Sequence, residues 1–144
     1  MQAERKYLDM IKLLVGVKGT GKTKTLIAAV NEALENSKGY VVCIEKGSTL
    51  RHEISYKVRL VNTDDYLIDN AAALGGLVSG ILAGNSDVTD LFIDSTLKIC
   101  KEDFAAFEQL VVELNKLVEK IDVNMVMTVS MPEDKITDTI RPFI

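Results

Sequence analysis

The 144-residue chain has no tryptophan, one histidine, two cysteines and two prolines. Each scarcity removes a class of protein. Cys43 and Cys100 are too few, and too far apart, for a disulfide-stapled scaffold, and neither sits in a CxxC pair. Cys43 lies inside an apolar run and reads as a buried, reduced thiol. His52 stands alone, with no cysteine or histidine nearby, so it makes no zinc-type metal site; a solvated loop histidine is the plain reading, as a solvated loop arginine is for Arg51. Long apolar runs are missing as well. The longest such region, about 71–84, is too short to span a bilayer and holds four glycines. No charged start followed by an apolar stretch and a cleavage site opens the chain. An excess of positive charge is also absent. The net charge is −4, which argues against a generic nucleic-acid binder. The expectation is a soluble, cytoplasmic protein with no membrane contact.

With 47% hydrophobic and 26% charged residues, the composition is that of a folded globule. The length suits one domain. Charge is divided unevenly along it. Residues 1–59 carry a net of +5 and residues 60–144 a net of −9. Something in the first half calls for positive charge.

The pattern of elements follows from periodicity. Residues 1–9 are polar and aperiodic and read as a flexible extension, leaving 10–144 as a single domain. Ile11–Val15 reads as a strand. Leu26, Ile27, Val30 and Leu34 put one apolar face on a helix over Lys22–Asn36. Tyr40–Glu45 reads as a buried strand, 46–56 as a loop, Lys57–Asn62 as a strand, and 64–84 as a helix capped by Thr63 or Asp64. Val88–Ile93 is a further strand. Asp103–Lys120 is the clearest helix, with Phe104, Phe107, Val111, Leu114 and Val118 at i, i+3, i+4 spacing. Val123–Val129 is a strand. The tetrad Ser130-Met-Pro-Glu133 fits a capping box and predicts a last helix from Pro132, with Ile136 and Ile140 on its apolar face. Such alternation implies an α/β fold of three layers, α/β/α, around a mainly parallel five-stranded sheet.

One segment carries most of the chemistry. Gly16-Val-Lys-Gly-Thr-Gly-Lys-Thr23 fits G-x-x-x-x-G-K-[ST], after an apolar strand and before an amphipathic helix. Glycines let the backbone turn tightly and aim successive N–H groups inward, and the helix N-terminus completes an anion site. Lys22 reaches the terminal phosphates of a nucleotide, and the Thr23 hydroxyl ligates Mg²⁺. Gly16, Val17, Lys18, Gly19, Thr20, Gly21, Lys22, Thr23 and Lys24 are therefore the expected nucleotide-binding residues.

The segment resembles the Walker A motif of P-loop NTPases, and the α/β order over residues 10–131 agrees with that superfamily. The resemblance implies a carboxylate facing the metal at the end of a buried strand. Asp94, closing Thr89-Asp-Leu-Phe-Ile-Asp94, resembles that Walker B residue and is the second expected metal ligand. Many members carry a glutamate directly after it, and here that position is Ser95. In RecA-like members the glutamate that polarises water ends the second strand, where this chain has Glu45. A polar residue ending the Val123–Ser130 strand is similar to the sensor beside the γ-phosphate. Thr128 is favoured over Ser130, which has the capping role. The resemblance also implies that the sensor strand lies between the phosphate-loop strand and the Asp94 strand.

The expected activity is Mg²⁺-dependent ATP binding with weak hydrolysis, used as a switch or motor component. Two alternatives stand beside it: a kinase of a small metabolite or nucleoside, and a nucleotide-dependent adaptor that does not hydrolyse. Asn115-Lys-Leu-Val118 begins like a guanine signature but ends in valine inside an amphipathic helix, so it is rejected. Arg51, Arg59 and Arg141 are too widely spaced for a kinase's arginine-rich lid. In the 64–84 helix, Ala72, Gly76, Gly80 and Gly84 fall four apart. Tight packing on the sheet is the first reading of that stripe and self-association with a partner copy the second.

Overall fold

The computed structural model describes residues 11–144. The expected extension at 1–9 lies outside the described residues. Five strands form one sheet: β1 (Ile11–Gly16), β2 (Tyr40–Glu45), β3 (Arg59–Asn62), β4 (Val88–Ile93) and β5 (Asn124–Ser130). All neighbouring pairs are parallel, in the order β1-β5-β4-β2-β3. The strand ending in Thr128 and Ser130 thus lies between the glycine-loop strand and the Asp94 strand, as expected.

Parallel strands need crossovers, and helices supply them. These are α1 (Lys22–Asn36), α2 (Ala71–Gly84), the short α3 (Thr96–Ile99) and α4 (Phe104–Ile121). Side chains alternate across each strand, so the sheet has two apolar faces. Val42, Ile44, Leu91, Ile93, Met125 and Met127 pack on one side against Leu74 and Val78 of α2 and Phe107, Val111 and Val118 of α4. Val41, Cys43 and Phe92 point the other way, onto Leu26 and Val30 of α1 and onto Leu50 and Ile54 of the following loop. The result is the three-layer α/β/α arrangement. Among the described residues, no helix is long and apolar enough to cross a membrane.

Three local expectations need correction. The 64–84 helix is two pieces. Asn62 caps a 3₁₀ turn over Thr63–Tyr66, Leu67 turns left-handed at φ 61°, and Asn70 caps α2 by accepting from the Ala73 N–H. Two asparagines therefore do the work assigned to Thr63 or Asp64, because each side-chain oxygen satisfies an otherwise orphaned amide. Second, the stripe of small residues does not pack on the sheet. Ala71, Leu74, Val78 and Leu82 do that, while Cβ atoms at Gly76, Gly80 and Gly84 would meet nothing within 4 Å. Of the α2 glycines, Gly75 alone is close to a neighbour, Leu110 of α4. Third, no helix follows Pro132. Ser130 stays in β5, paired with Gly16 of β1, and its side chain caps no helix. The tail forms only 3₁₀ turns at Glu133–Lys135 and Arg141–Phe143. Ile140 is nevertheless fully buried and Ile136 partly so, so the two isoleucines anchor the tail without helical backbone. Smaller shifts leave β3 starting at Arg59 and β5 at Asn124, and α3 was not foreseen.

Candidate functional site

The turn from β1 into α1 is built by glycine. Gly19 and Gly21 have φ of 87° and 85°, which residues with a Cβ rarely adopt. Gly16 has no such angle, but a Cβ there would come within 2.6 Å of Thr20 Oγ1. The Thr20 hydroxyl donates to the Val17 carbonyl at 2.8 Å. Lys22 reaches back over the loop and its ammonium donates to the same carbonyl at 2.9 Å. Gly21 is the N-cap of α1 and offers no side chain to its amides; no acidic residue sits in the first turn. The helix start keeps its partial positive charge and its N–H groups for an external acceptor.

On the facing side, β4 ends at Ile93 and the chain passes into Asp94. Its amide donates to the Ile44 carbonyl of β2 at 2.8 Å, which extends the sheet by one bond and fixes the carboxylate at the edge. Asp94 is buried, and hydroxyls satisfy it. Thr23 Oγ1 lies 3.1 and 3.3 Å from its two carboxylate oxygens. Thr128 Oγ1 donates to Oδ1 at 2.6 Å and accepts from the Ser95 amide at 2.7 Å. Ser95 itself is left-handed, φ 57° and ψ 46°. The structure thus brings Thr23, Asp94 and Thr128 into one hydrogen-bonded cluster, though 71 and 34 positions separate the pairs.

A hollow of about 480 Å³ opens over this cluster, lined among others by Lys18, Lys22, Thr23, Lys24, Ser95 and Thr128. Two residues that the sequence patterns did not single out also line it: Lys98 of α3 and Glu102 just beyond. Lys98 lies one helical turn after Asp94, a spacing visible only once α3 is known. Glu102 lies past a helix stop that carries neither glycine nor proline, so no sequence signal marked it. Lys18, Lys22 and Lys24 account for part of the basic half of the chain.

Glu45 is placed differently. It is buried at the end of β2, but its carboxylate turns into the 46–56 loop. Oε1 accepts from the Thr49 amide and hydroxyl, each at 3.1 Å, and both oxygens accept from the Leu50 amide, at 3.2–3.3 Å. Neither Glu45 nor Asp94 lines the hollow itself, but Asp94 is bonded to Thr23 and Thr128, which do, and Glu45 is not. Burial raises its pKa; the Leu50 and Thr49 hydrogen bonds pull it down, and the Asp94 charge adds to the rise. Beside it, burial and then the Asp94 and Glu45 charges drive the Cys43 thiol far up, so it stays a neutral thiol and no nucleophile. Arg51 and His52 lie in an exposed 3₁₀ turn, with Arg51 Nε 3.5 Å from His52 Nε2.

Comparison with models of known protein families and with curated protein sequences finds no match.

The donor set bears on a metal. Among the described residues there is no group of three His, Cys, Asp or Glu side chains that could hold one, so an all-protein cage is not what this site resembles. Thr23 and Asp94 are hard oxygen donors side by side. The Thr23 proton directed at Asp94 leaves the lone pairs of its oxygen for a ligand. One or two protein oxygens, completed by phosphate and water, is how Mg²⁺ is commonly held. The residues fit that ion.

Proposed function

We propose that this chain binds a nucleoside triphosphate with Mg²⁺, ATP being the expected nucleotide, and acts as a slow ATPase that switches state with the nucleotide bound. The observation that carries this reading is the contact between Thr23, which opens α1 directly after the glycine loop, and Asp94 at the end of β4. A glycine loop alone is a turn. A glycine loop whose first helical hydroxyl meets a buried strand-end carboxylate, beside a hollow rich in lysine, has the parts of a Mg²⁺–polyphosphate site of the P-loop NTPase kind.

In this reading each residue has a distinct task. The loop amides and the start of α1 hold phosphate oxygens. Lys22 trades its bond to the Val17 carbonyl for the terminal phosphates. Thr23 and Asp94 hold Mg²⁺, which when bound would neutralise charge on the phosphates. Thr128 locks the Asp94 carboxylate and the Ser95 amide in place, next to where the terminal phosphate would lie.

The adaptor reading has one specific support. Glu45 spends its carboxylate on the loop amides, and Ser95 occupies the position after Asp94, so neither position supplies a free carboxylate for water. The decisive experiment is titration calorimetry with ATP, ADP and GTP, with and without Mg²⁺, together with a phosphate-release assay. ATP with Mg²⁺ should bind, and Lys22→Ala should weaken it by at least about tenfold, the loss of a charge-assisted contact. Equal binding by Lys22→Ala sinks the proposal. A phosphorylated product other than phosphate itself would favour a kinase.

A further inference from the structure

Resting on the nucleotide reading above, we infer that Glu102 is the carboxylate that orients and deprotonates the water attacking the terminal phosphate. Neither of the positions expected for such a group supplies it, since Ser95 follows Asp94 and Glu45 is held by Thr49 and Leu50. Glu102 lines the same hollow as Lys22, Thr23 and Thr128. Asp94 is occupied by two threonine hydroxyls, whereas Glu102 has no ion-pair partner among the described residues.

The backbone holds Glu102 there at a cost. Helix α3 ends in a Schellman motif: the Lys101 amide donates to the Lys98 carbonyl at 3.0 Å and the Glu102 amide to Leu97 at 2.9 Å. That motif requires one left-handed residue, supplied here by Lys101 at φ 56°. It does not require a second. Glu102 nevertheless has φ 58°, a conformation that costs a residue with a Cβ and recurs where function dictates geometry. The next residue is pinned too. The Asp103 amide donates to Cys100 at 3.2 Å, and its carboxylate caps α4 by accepting from Ala106 at 3.0 Å. Glu102 is thus clamped between the stop of one helix and the cap of the next, while Lys101 is drawn aside to Asp69 at 3.2 Å. Lys98 lines the same hollow.

The water oxygen forms a bond to the terminal phosphorus while Glu102 accepts its proton. The bond from phosphorus to the bridging oxygen breaks, and the nucleoside diphosphate leaves with the bonding pair. Inorganic phosphate is the second product.

The test measures phosphate release, ATP affinity with Mg²⁺ and melting temperature for the whole chain. Glu102→Gln should lower turnover by about 100-fold or more, the usual worth of a general base, with ATP affinity within about threefold of the parent. Glu102→Gly should melt no lower than the parent, because glycine adopts the left-handed angle without strain, and should be equally slow. Glu102→Asp should recover part of the rate. A purely structural role predicts the reverse of the glycine result. Turnover unchanged in Glu102→Gln, or a parent that binds ATP with Mg²⁺ and releases no phosphate, overturns the assignment. A parent that binds no nucleotide overturns the reading beneath it, and this inference with it.

Discussion

Asp94 and Glu45 end adjacent parallel strands at the same edge of the sheet, and both are buried. Their partners separate them. Asp94 accepts from the hydroxyls of Thr23 and Thr128. A hydroxyl that donates one proton still has lone pairs to offer, so that contact can be shared with an incoming ligand. Glu45 accepts from two backbone amides and one hydroxyl of its own loop. An amide has nothing further to offer, so that contact ends in structure. Burial alone therefore does not mark a carboxylate as functional. The groups that satisfy it decide whether it can still share its contacts with a ligand.

The sharpest way to break this comparison is at Asp94. Asp94→Asn keeps the shape but turns one acceptor into a donor and removes the charge. The Mg²⁺-dependent part of ATP binding should disappear, and turnover should fall by about 10²–10³-fold. Calorimetry with and without Mg²⁺ checks it, and an unchanged metal dependence would put Asp94 in the same class as Glu45.

A smaller and different effect is expected at Glu45. Glu45→Gln cannot serve all the loop donors as an acceptor, so the domain should lose about 1–3 kcal/mol by denaturant melt, and its turnover should fall less than that of Glu102→Gln. The pH dependence has a definite sign. The folded pKa of Glu45 is raised, so the folded chain holds this proton more tightly than the unfolded chain. The contribution of Glu45 to stability is therefore full below its unfolded value, about 4.5, and is lost as pH rises through the folded value. The stability difference between the parent and Glu45→Gln should accordingly shrink from acid toward neutral pH. A difference that grows over that range would mean the loop donors outweigh burial. Smallest is Thr49→Val, which removes one hydroxyl from Glu45 and leaves the amides; about 1 kcal/mol of stability is at stake, with nucleotide binding within about twofold of the parent.

The two halves of the site were not equally legible. The glycine loop could be read because its constraints are local: Gly19 and Gly21 need angles that few residues take, and Lys22 and Thr23 follow within the same turn. Asp94 could be placed because three apolar residues precede it in a buried strand. Its hydroxyl partners could be named, but not that Thr128 would bond it directly. Glu45 also ends a buried strand, the position at which the resemblance implies a water-polarising glutamate. Its carboxylate turns away because the next turn, Thr49–Leu50, presents amides, and no pattern of residue types reports that direction.

What the sequence determined by itself was what spacing of three, four or two residues encodes: α1, α4, four of the five strands to within a residue, the parallel α/β order and the glycine turn between β1 and α1. The tertiary structure alone decided where side chains point at element ends. It turned Gly76, Gly80 and Gly84 of α2 outward, kept Ser130 in β5 against Gly16, folded the tail around Ile140, and brought Lys98 and Glu102 to the hollow. The physical reason is the range of the forces concerned. Periodicity and backbone preference act within a turn or a pleat. The direction of a side chain beyond a strand or helix end is set by hydrogen bonds to chain far away in sequence, and those exist only once the sheet has assembled.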